Sequence, residues 1–162
     1  MVSADWNEAL NFAAASLSGK NIMGLVGDLT STESAYSLKK LVTKLGGVVE
    51  CRTDGSKLPI DNRSGYVGNA TIDDIDLADE IFLIGSNPRN EAPVLNARIR
   101  KAWSDGANVH LLGPKAELTY DYSYLGSDRS ALRKLTTRGL KVGKGRSAVV
   151  ILGVGALTDA DG

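Results

Sequence analysis

The sequence predicts an α/β fold with an open, mostly parallel sheet and helices on both faces. Four apolar runs each end at a glycine: GLVG at 24–27, FLIG at 82–85, HLLG at 110–113 and VILG at 150–153. Glycine at a strand end permits positive φ or a close backbone approach. Helical patterns follow the first two runs, and strands separated by helices indicate parallel βαβ units. The irregular spacing indicates one wound domain and not a repeat array.

Length and composition restrict the function. The 162 residues, 43% of them hydrophobic, suffice for one domain with a real core. Nineteen basic side chains balance nineteen acidic ones, so nucleic acid and anionic lipid are not expected as partners. No apolar run approaches the roughly 20 residues of a membrane helix, so direct membrane insertion is not expected. With one cysteine and one histidine, we expect no zinc or iron–sulfur centre.

The amino-terminal part is predicted to begin with a helix, a strand and a second helix. Ser3 is the expected cap of the first helix, which carries apolar residues on one side and ends near Gly19. Residues 22–26 form the first strand. Thr30 or Ser31 opens the second helix.

The second helix is expected to close at a glycine pair, Gly46 and Gly47, before a short strand at 48–52. Residues 53–69 form the longest irregular stretch. Loops longer than about 12 to 15 residues in a compact domain are usually functional or disordered. We therefore expect this loop to be a lid or a contact surface.

The middle of the chain contains the most informative segment, residues 80–103. A short acidic helical turn at 71–79 leads into a strand at 81–84 that reads as buried on both faces. Residues 85–90 form the turn that follows. Pro93 then occupies the first turn of a basic amphipathic helix, where proline is tolerated.

The carboxyl-terminal part is predicted to contain a strand at 109–112, a helix capped by Ser127 or Asp128 that ends near Arg138, and a strand at 148–152. Glycine and charged residues at 141–146 are typical of a linker. We therefore assign residues 1–140 to the α/β domain. Residues 141–162 are assigned to the linker plus the first strand of a following, truncated segment.

Candidate sites lie at the turns after strands, because open α/β sheets bind ligands at the carboxyl ends of their strands. Backbone N–H groups at a helix start attract anions and an arginine adds a forked donor, so such turns could cradle a phosphate. Turn chemistry alone explains the same residue types, with Arg89 pairing with Glu91 or a neighbouring subunit. The candidate cofactor-binding residues are Gly27, Asp28, Gly85, Ser86, Asn87, Pro88, Arg89 and Glu91.

Other polar residues have a simple structural interpretation. His110 is expected to be a core or edge-strand histidine, and Cys51 a half-buried strand residue. The acidic residues at 73–76 are expected to form a solvated helix start, where the helix dipole favours them. The sequence GVG at 153–155 lacks the third glycine of a dinucleotide fingerprint. Since no nucleophile has a base and an orienting partner, we expect no catalytic residue.

Three stretches resemble a known family: SGYVGNATIDDIDLADEIFLI, GSNPRNEAPVLNARIRKAW and LLGPKAELTYDYSYLG, which begin at Ser64, Gly85 and Leu111. They are similar to the carboxyl-terminal region of the 75 kDa subunit of NADH-quinone oxidoreductase, respiratory complex I, in its alphaproteobacterial and mitochondrial form. The opening ADWNEAL resembles the start of the molybdopterin oxidoreductase domain. The resemblance covers essentially the whole chain and implies a Rossmann-like wound domain of that type.

The resemblance also implies a function. It indicates a non-catalytic structural domain in the peripheral arm, which passes electrons from NADH toward quinone. It implies no cofactor in this chain, since the iron–sulfur ligands of the family belong to an amino-terminal part of the subunit. Other peripheral-arm subunits are the implied partners. The implied location is the cytoplasmic face of the bacterial inner membrane, or the matrix side in mitochondria.

Two alternatives remain open. The chain could bind a molybdopterin guanine dinucleotide, or another nucleotide, at Gly27, Asp28 and residues 85–89. Working molybdopterin enzymes carry a similar Gly-Ser/Ala-Asn-Pro turn, but Ala92 stands here in place of their histidine and Gly113 in place of an acidic residue. The second alternative is a flavodoxin-like module in which residues 53–69 form a lid.

Overall fold

The computed structural model describes residues 2–51, 55–58, 61–138 and 147–158. These residues form two compact units, Met1–Arg52 and Thr53–Gly162. The elements of the first unit are α1 (Trp6–Leu17), β1 (Met23–Val26), α2 (Thr32–Lys44) and β2 (Val48–Cys51).

In the first unit, β1 and β2 pair in parallel as a two-stranded sheet. Helix α2 packs closely against this pair. A β carbon placed on Gly24 would lie 2.9 Å from Cγ2 of Val42 and 3.3 Å from Cγ1 of Val49, so glycine is needed for this approach.

The start of α1 differs from the prediction, because Asp5 and not Ser3 is the N-cap. Oδ1 of Asp5 accepts the Glu8 N–H at 2.8 Å, and Oε2 of Glu8 accepts the Asp5 N–H at 3.0 Å. This reciprocal pair is a capping box, which satisfies two free backbone donors. The second predicted cap is confirmed at Ser31, whose side chain accepts from the backbone of Ser34.

The apolar side chains of α1 are exposed. The side chains of Trp6, Leu10 and Phe12 are 82%, 61% and 76% exposed, and α1 buries no residue. The periodicity of a helix indicates which of its sides is apolar, but it does not indicate which other part of a protein packs against that side.

The second unit contains the larger sheet. Its elements are α3 (Ile72–Asp76), β3 (Glu80–Ile84), α4 (Pro88–Glu91), α5 (Pro93–Ser104), β4 (Asn108–Leu112), β5 (Ser123–Gly126), α6 (Arg129–Arg138) and β6 (Ala148–Leu152), with single 3-10 turns at Arg63–Gly65 and Val154–Ala156. All strand pairs are parallel, in the order β5-β4-β3-β6. The α/β class with parallel strands and flanking helices is confirmed, and the described strands divide between two sheets.

For two strands of this sheet, the apolar sequence pattern did not predict the structure fully. The sequence does not predict β5, because its four residues, which include the last of three alternating tyrosines, contain no long apolar stretch. β6 has its predicted bounds, and it pairs along the whole of β3, a partner that the sequence did not indicate. An apolar sequence pattern predicts that a strand is present, but it does not predict which other strand it pairs with. The predicted linker at 141–146 and the predicted boundary after residue 140 lie outside the described residues.

The core lies on one face of β3 and β4, beneath α3 and α5. Its centre contains Ile81, Leu83, Ile99 and Leu111, each 0% exposed. α5 contributes Ile99 and Ala102, with Leu95 and Trp103 packed against the cluster. The predicted amphipathic character of this helix is therefore confirmed.

Helix α3 begins with a second capping box, between Thr71 and Asp74. Oδ2 of Asp74 accepts the Thr71 N–H at 2.6 Å and the Thr71 hydroxyl at 2.8 Å. These hydrogen bonds favour the ionised carboxylate, and they hold the pKa of Asp74 below its ordinary value. Asp74 lies exposed in the first turn of α3, as predicted.

The cap of α3 leads to a prediction about pH. Because the pKa of Asp74 is lowered by folding, the carboxylate stabilises α3 above its ordinary pKa, and this stabilisation is lost as pH falls through the lowered value. The substitution Thr71→Ala should raise the pKa of Asp74 toward the ordinary value, measured by NMR titration of its carboxyl carbon. Because the Thr71 N–H still donates to Asp74 in this variant, an unchanged titration curve would show that the hydroxyl does not contribute to the lowered pKa.

Candidate functional site

The topology of the second unit locates its candidate site. From β3 the chain adds β4 and β5 on one side, and then returns to place β6 on the other side of β3. The strand order therefore reverses between β3 and β6, and such a switch point is where open α/β sheets bind ligands. The last residues of the two strands, Ile84 and Leu152, are register partners. The candidate site is thus framed by the turns that start at Gly85 and Gly153.

These two turns are in backbone contact. Gly85 has a φ of +59°, and a β carbon placed on it would lie 2.7 Å from Cβ of Ala156 and closer still to the Ala156 nitrogen. A β carbon on Gly153 would lie 2.5 Å from Cβ of Ser86, and one on Gly155 would lie 2.7 Å from the Gly85 oxygen. The glycines at the strand ends therefore let the chain pack against itself at the switch point.

Hydrogen bonds continue the sheet through the same glycines. The Gly153 N–H donates to the Ile84 carbonyl at 2.8 Å, and the Gly85 N–H donates to the Leu112 carbonyl at 2.8 Å. A further backbone hydrogen bond joins the Lys57 N–H to the Leu157 carbonyl at 3.0 Å. The predicted irregular loop thus contacts the turn that follows β6.

A carboxylate of the chain itself binds the turn after β3. Oε1 of Glu91 accepts the Asn87 N–H at 2.7 Å, and Oε2 accepts the Ser86 hydroxyl at 3.1 Å. A phosphate would need donors of this kind. Here Pro88–Glu91 form the short helix α4, where the sequence predicted only a turn through residue 90, and the helix brings Glu91 back over the donors.

Arg89 has a partner that was not predicted. Its Nη1 donates to the Glu117 carbonyl at 3.0 Å and lies 3.6 Å from Oε2 of Glu117. The expected pair with Glu91 is not the one the structure forms. Both side chains are largely exposed, at 46% and 97%, so water screens the ion pair and its net stabilisation is small. The β4–β5 loop supplies this partner, which sequence spacing could not indicate.

The structure brings six of the predicted site residues together in the second unit: Gly85, Ser86, Asn87, Pro88, Arg89 and Glu91. Gly27 and Asp28 belong to the first unit. There Gly27 follows β1, its carbonyl accepts the Thr30 N–H at 3.2 Å, and both residues are exposed. They form a strand-to-helix turn, as the structural interpretation expects.

Sequence reasoning missed a buried polar cluster at the start of β3. Glu80 is 8% exposed, its Oε2 lies 2.7 Å from Nε2 of His110, and its Oε1 accepts from Nδ2 of Asn108 at 3.0 Å. The His110 ring stacks on Phe82 at 4.5 Å. His110 is thus a strand residue, as expected. Cys51, expected to be half-buried, is exposed at the end of β2.

The parts of the chain that the structure describes contain neither a candidate metal site nor a candidate membrane span. In these ranges, no three His, Cys, Asp or Glu side chains are grouped so that they could hold a metal ion. No helix in the same ranges has the length and apolar character needed to cross a bilayer.

One solved structure has a similar fold. It is that of the formyltransferase/hydrolase complex from Methylorubrum extorquens, in complex with methylofuran, which matches with a TM-score of 0.62 at 19% identity. The match covers 96% of this chain and 52% of the other.

Curated relatives are more similar in sequence. The NADH-ubiquinone oxidoreductase 78 kDa subunit of Candida albicans is 37% identical over 98% of this chain, which covers 24% of that protein. The corresponding Neurospora crassa subunit is 32% identical, with 98% and 23% covered. The NADH dehydrogenase [ubiquinone] iron-sulfur protein 1 of Solanum tuberosum is 33% identical, also with 98% and 23% covered.

The chain thus spans about a quarter of the length of these mitochondrial relatives. The family model of the molybdopterin oxidoreductases matches residues 1–162, its whole length. The switch point between β3 and β6 and the wound parallel sheet agree with this match. The chain belongs to the molybdopterin oxidoreductase family.

Proposed function

We propose that the chain is a non-catalytic structural domain of the 75 kDa subunit of NADH-quinone oxidoreductase. Electron transfer from NADH to quinone would then use iron–sulfur clusters outside this chain. The support comes from curated relatives that are mitochondrial subunits of this oxidoreductase and are similar to nearly the whole chain. The partners are the other subunits of the peripheral arm. The location is the cytoplasmic face of the bacterial membrane, or the matrix side in mitochondria.

We further propose that the switch point binds no pterin nucleotide. The observation that supports this is the close backbone contact of Gly85 with the Val154–Ala156 turn, at the end of the strands where open α/β sheets bind ligands. The Glu91 carboxylate adds to this, because it would repel an anionic phosphate from the donors of Ser86 and Asn87. A nucleotide would have to displace both.

A role in assembly is supported by the apolar surface of the first unit. Among its described residues, Val42 is the one buried hydrophobic side chain, while Trp6, Leu10 and Phe12 are largely exposed. One buried apolar side chain is a small core for a unit of this size. We therefore propose that α1 packs against a further protein surface in the assembled complex.

The test is assembly of the full-length subunit with Trp6→Ser and Leu10→Ser together. The serines should reduce the amount of assembled complex at least about fivefold on native gels, since exposed aromatic and large apolar residues often dominate an interface. Lys39→Ser with Lys40→Ser, an exposed pair on α2, is the matched control and should assemble normally. Normal assembly of the α1 variant would contradict the proposed role.

A further inference from the structure

One segment of the chain is strongly basic, although the net charge of the whole chain is zero. Residues 129–146 contain seven Lys and Arg and no Asp or Glu. Since the whole chain has no net charge, the rest carries an acidic excess of the same size. Such an asymmetry indicates an interaction with a partner of opposite charge.

Helix α6, which begins this segment, presents charged side chains to solvent. Ala131 is 8% exposed, and a β carbon on Gly126 would lie 2.7 Å from its Cβ, so this side of α6 packs against the end of β5. Arg133 and Lys134 are exposed. The side chains of these two residues are therefore accessible to another molecule while the helix stays anchored to the sheet.

The composition of the segment favours a protein partner over nucleic acid or lipid. Single-stranded nucleic acid is bound by basic grooves that also carry aromatic rings, and no aromatic residue follows Tyr124. A helix that lies on a membrane needs a broad apolar face, whereas α6 offers only Leu132 and Leu135 beyond the packed Ala131. An acidic polypeptide requires only the complementary charge.

We propose that the exposed side of α6 docks onto an acidic segment of another protein chain. This inference rests on the proposed function, because that function places the chain beside other subunits. Arg133 and Lys134 would face carboxylates of the neighbour. The contact would contribute specificity and association rate more than affinity, and it would weaken as salt rises.

The test uses the full-length subunit in its assembled complex. The photo-crosslinker benzoylphenylalanine replaces Leu132, which is 40% exposed, and the crosslinked peptides are identified by mass spectrometry. We expect peptides from another chain that contain more Asp and Glu than Lys and Arg. Adding Arg133→Glu and Lys134→Glu should lower the yield about tenfold. Lys39→Glu with Lys40→Glu, the same charge change on α2, should leave the yield unchanged.

A second crosslinker position separates this inference from the proposed function. Benzoylphenylalanine at Leu10 reports on the α1 surface. Crosslinks from position 10 with none from position 132 would overturn the α6 inference alone, as would crosslinks from 132 to lipid, nucleic acid or a basic peptide. Absence of protein crosslinks from both positions would overturn the proposed function as well. If charge reversal lowers helix content by circular dichroism, Lys134→Glu alone replaces the pair and should still lower the yield.

Discussion

Replacing Gly85 by alanine should destabilise the second unit by about 3 kcal/mol. The added methyl group would overlap the Ala156 backbone, and overpacking of this kind costs about 1–3 kcal/mol. The left-handed backbone adds about 1 kcal/mol for a residue with a β carbon. Urea unfolding of the purified chain measures the change as a lower midpoint at unchanged slope.

Gly106→Ala is the matched control for this experiment. Gly106 has a φ of +106°, but a β carbon there would meet nothing within 4 Å. Its replacement therefore tests backbone strain alone and should cost about 1 kcal/mol. Equal losses in the two variants would mean that the turns after β3 and β6 are not in contact.

Replacing Glu80 by alanine should cost about 3 kcal/mol or more. The carboxylate is 8% exposed and binds both His110 and Asn108. Without Glu80, the side chains of His110 and Asn108 each lose a hydrogen bond, and a buried polar group left unsatisfied costs about 1–3 kcal/mol. The free energy of unfolding at neutral pH measures the loss.

A control variant and a double variant accompany the Glu80 experiment. Glu117→Ala removes a carboxylate that is 97% exposed, and it should change stability by less than about 0.5 kcal/mol. Combining Glu80→Ala with His110→Ala should cost less than the sum of the single changes, because the double variant removes both members of the pair, whereas each single change leaves one of them unpaired. Additive losses would show that the two side chains do not interact.

Local sequence patterns predicted the elements of this fold well. The apolar runs that end at glycine lie where β1, β3, β4 and β6 end, and the inward residues of α5 are in the core. These features depend on neighbours in the chain, so a single sequence contains them. The bounds of β6 were also correct, whereas its pairing with β3 was not foreseen. Pairing depends on residues far apart in the sequence, which periodicity does not encode.

In the candidate site, too, the local structure was predicted from the sequence, but the contacts between distant residues were not. The turn from Gly85 to Glu91 was predicted from its residue types, and the structure brings these residues together. Its contacts were not predicted, because Arg89 reaches Glu117 and Gly85 reaches Ala156 across long stretches of chain. The glycines at 153 and 155 indicated only a poor dinucleotide fingerprint. In the structure their small size serves close packing of the chain against itself.

The most direct test of the central claim is the stability of the purified chain in the presence of molybdopterin guanine dinucleotide. The turns after β3 and β6 are in close contact at the switch point, and we therefore expect the free energy of unfolding to stay unchanged at millimolar nucleotide. A ligand present at 100 times its dissociation constant would add about 2.7 kcal/mol. A saturable increase of that size would show that the switch point is a working nucleotide site and would contradict the structural role.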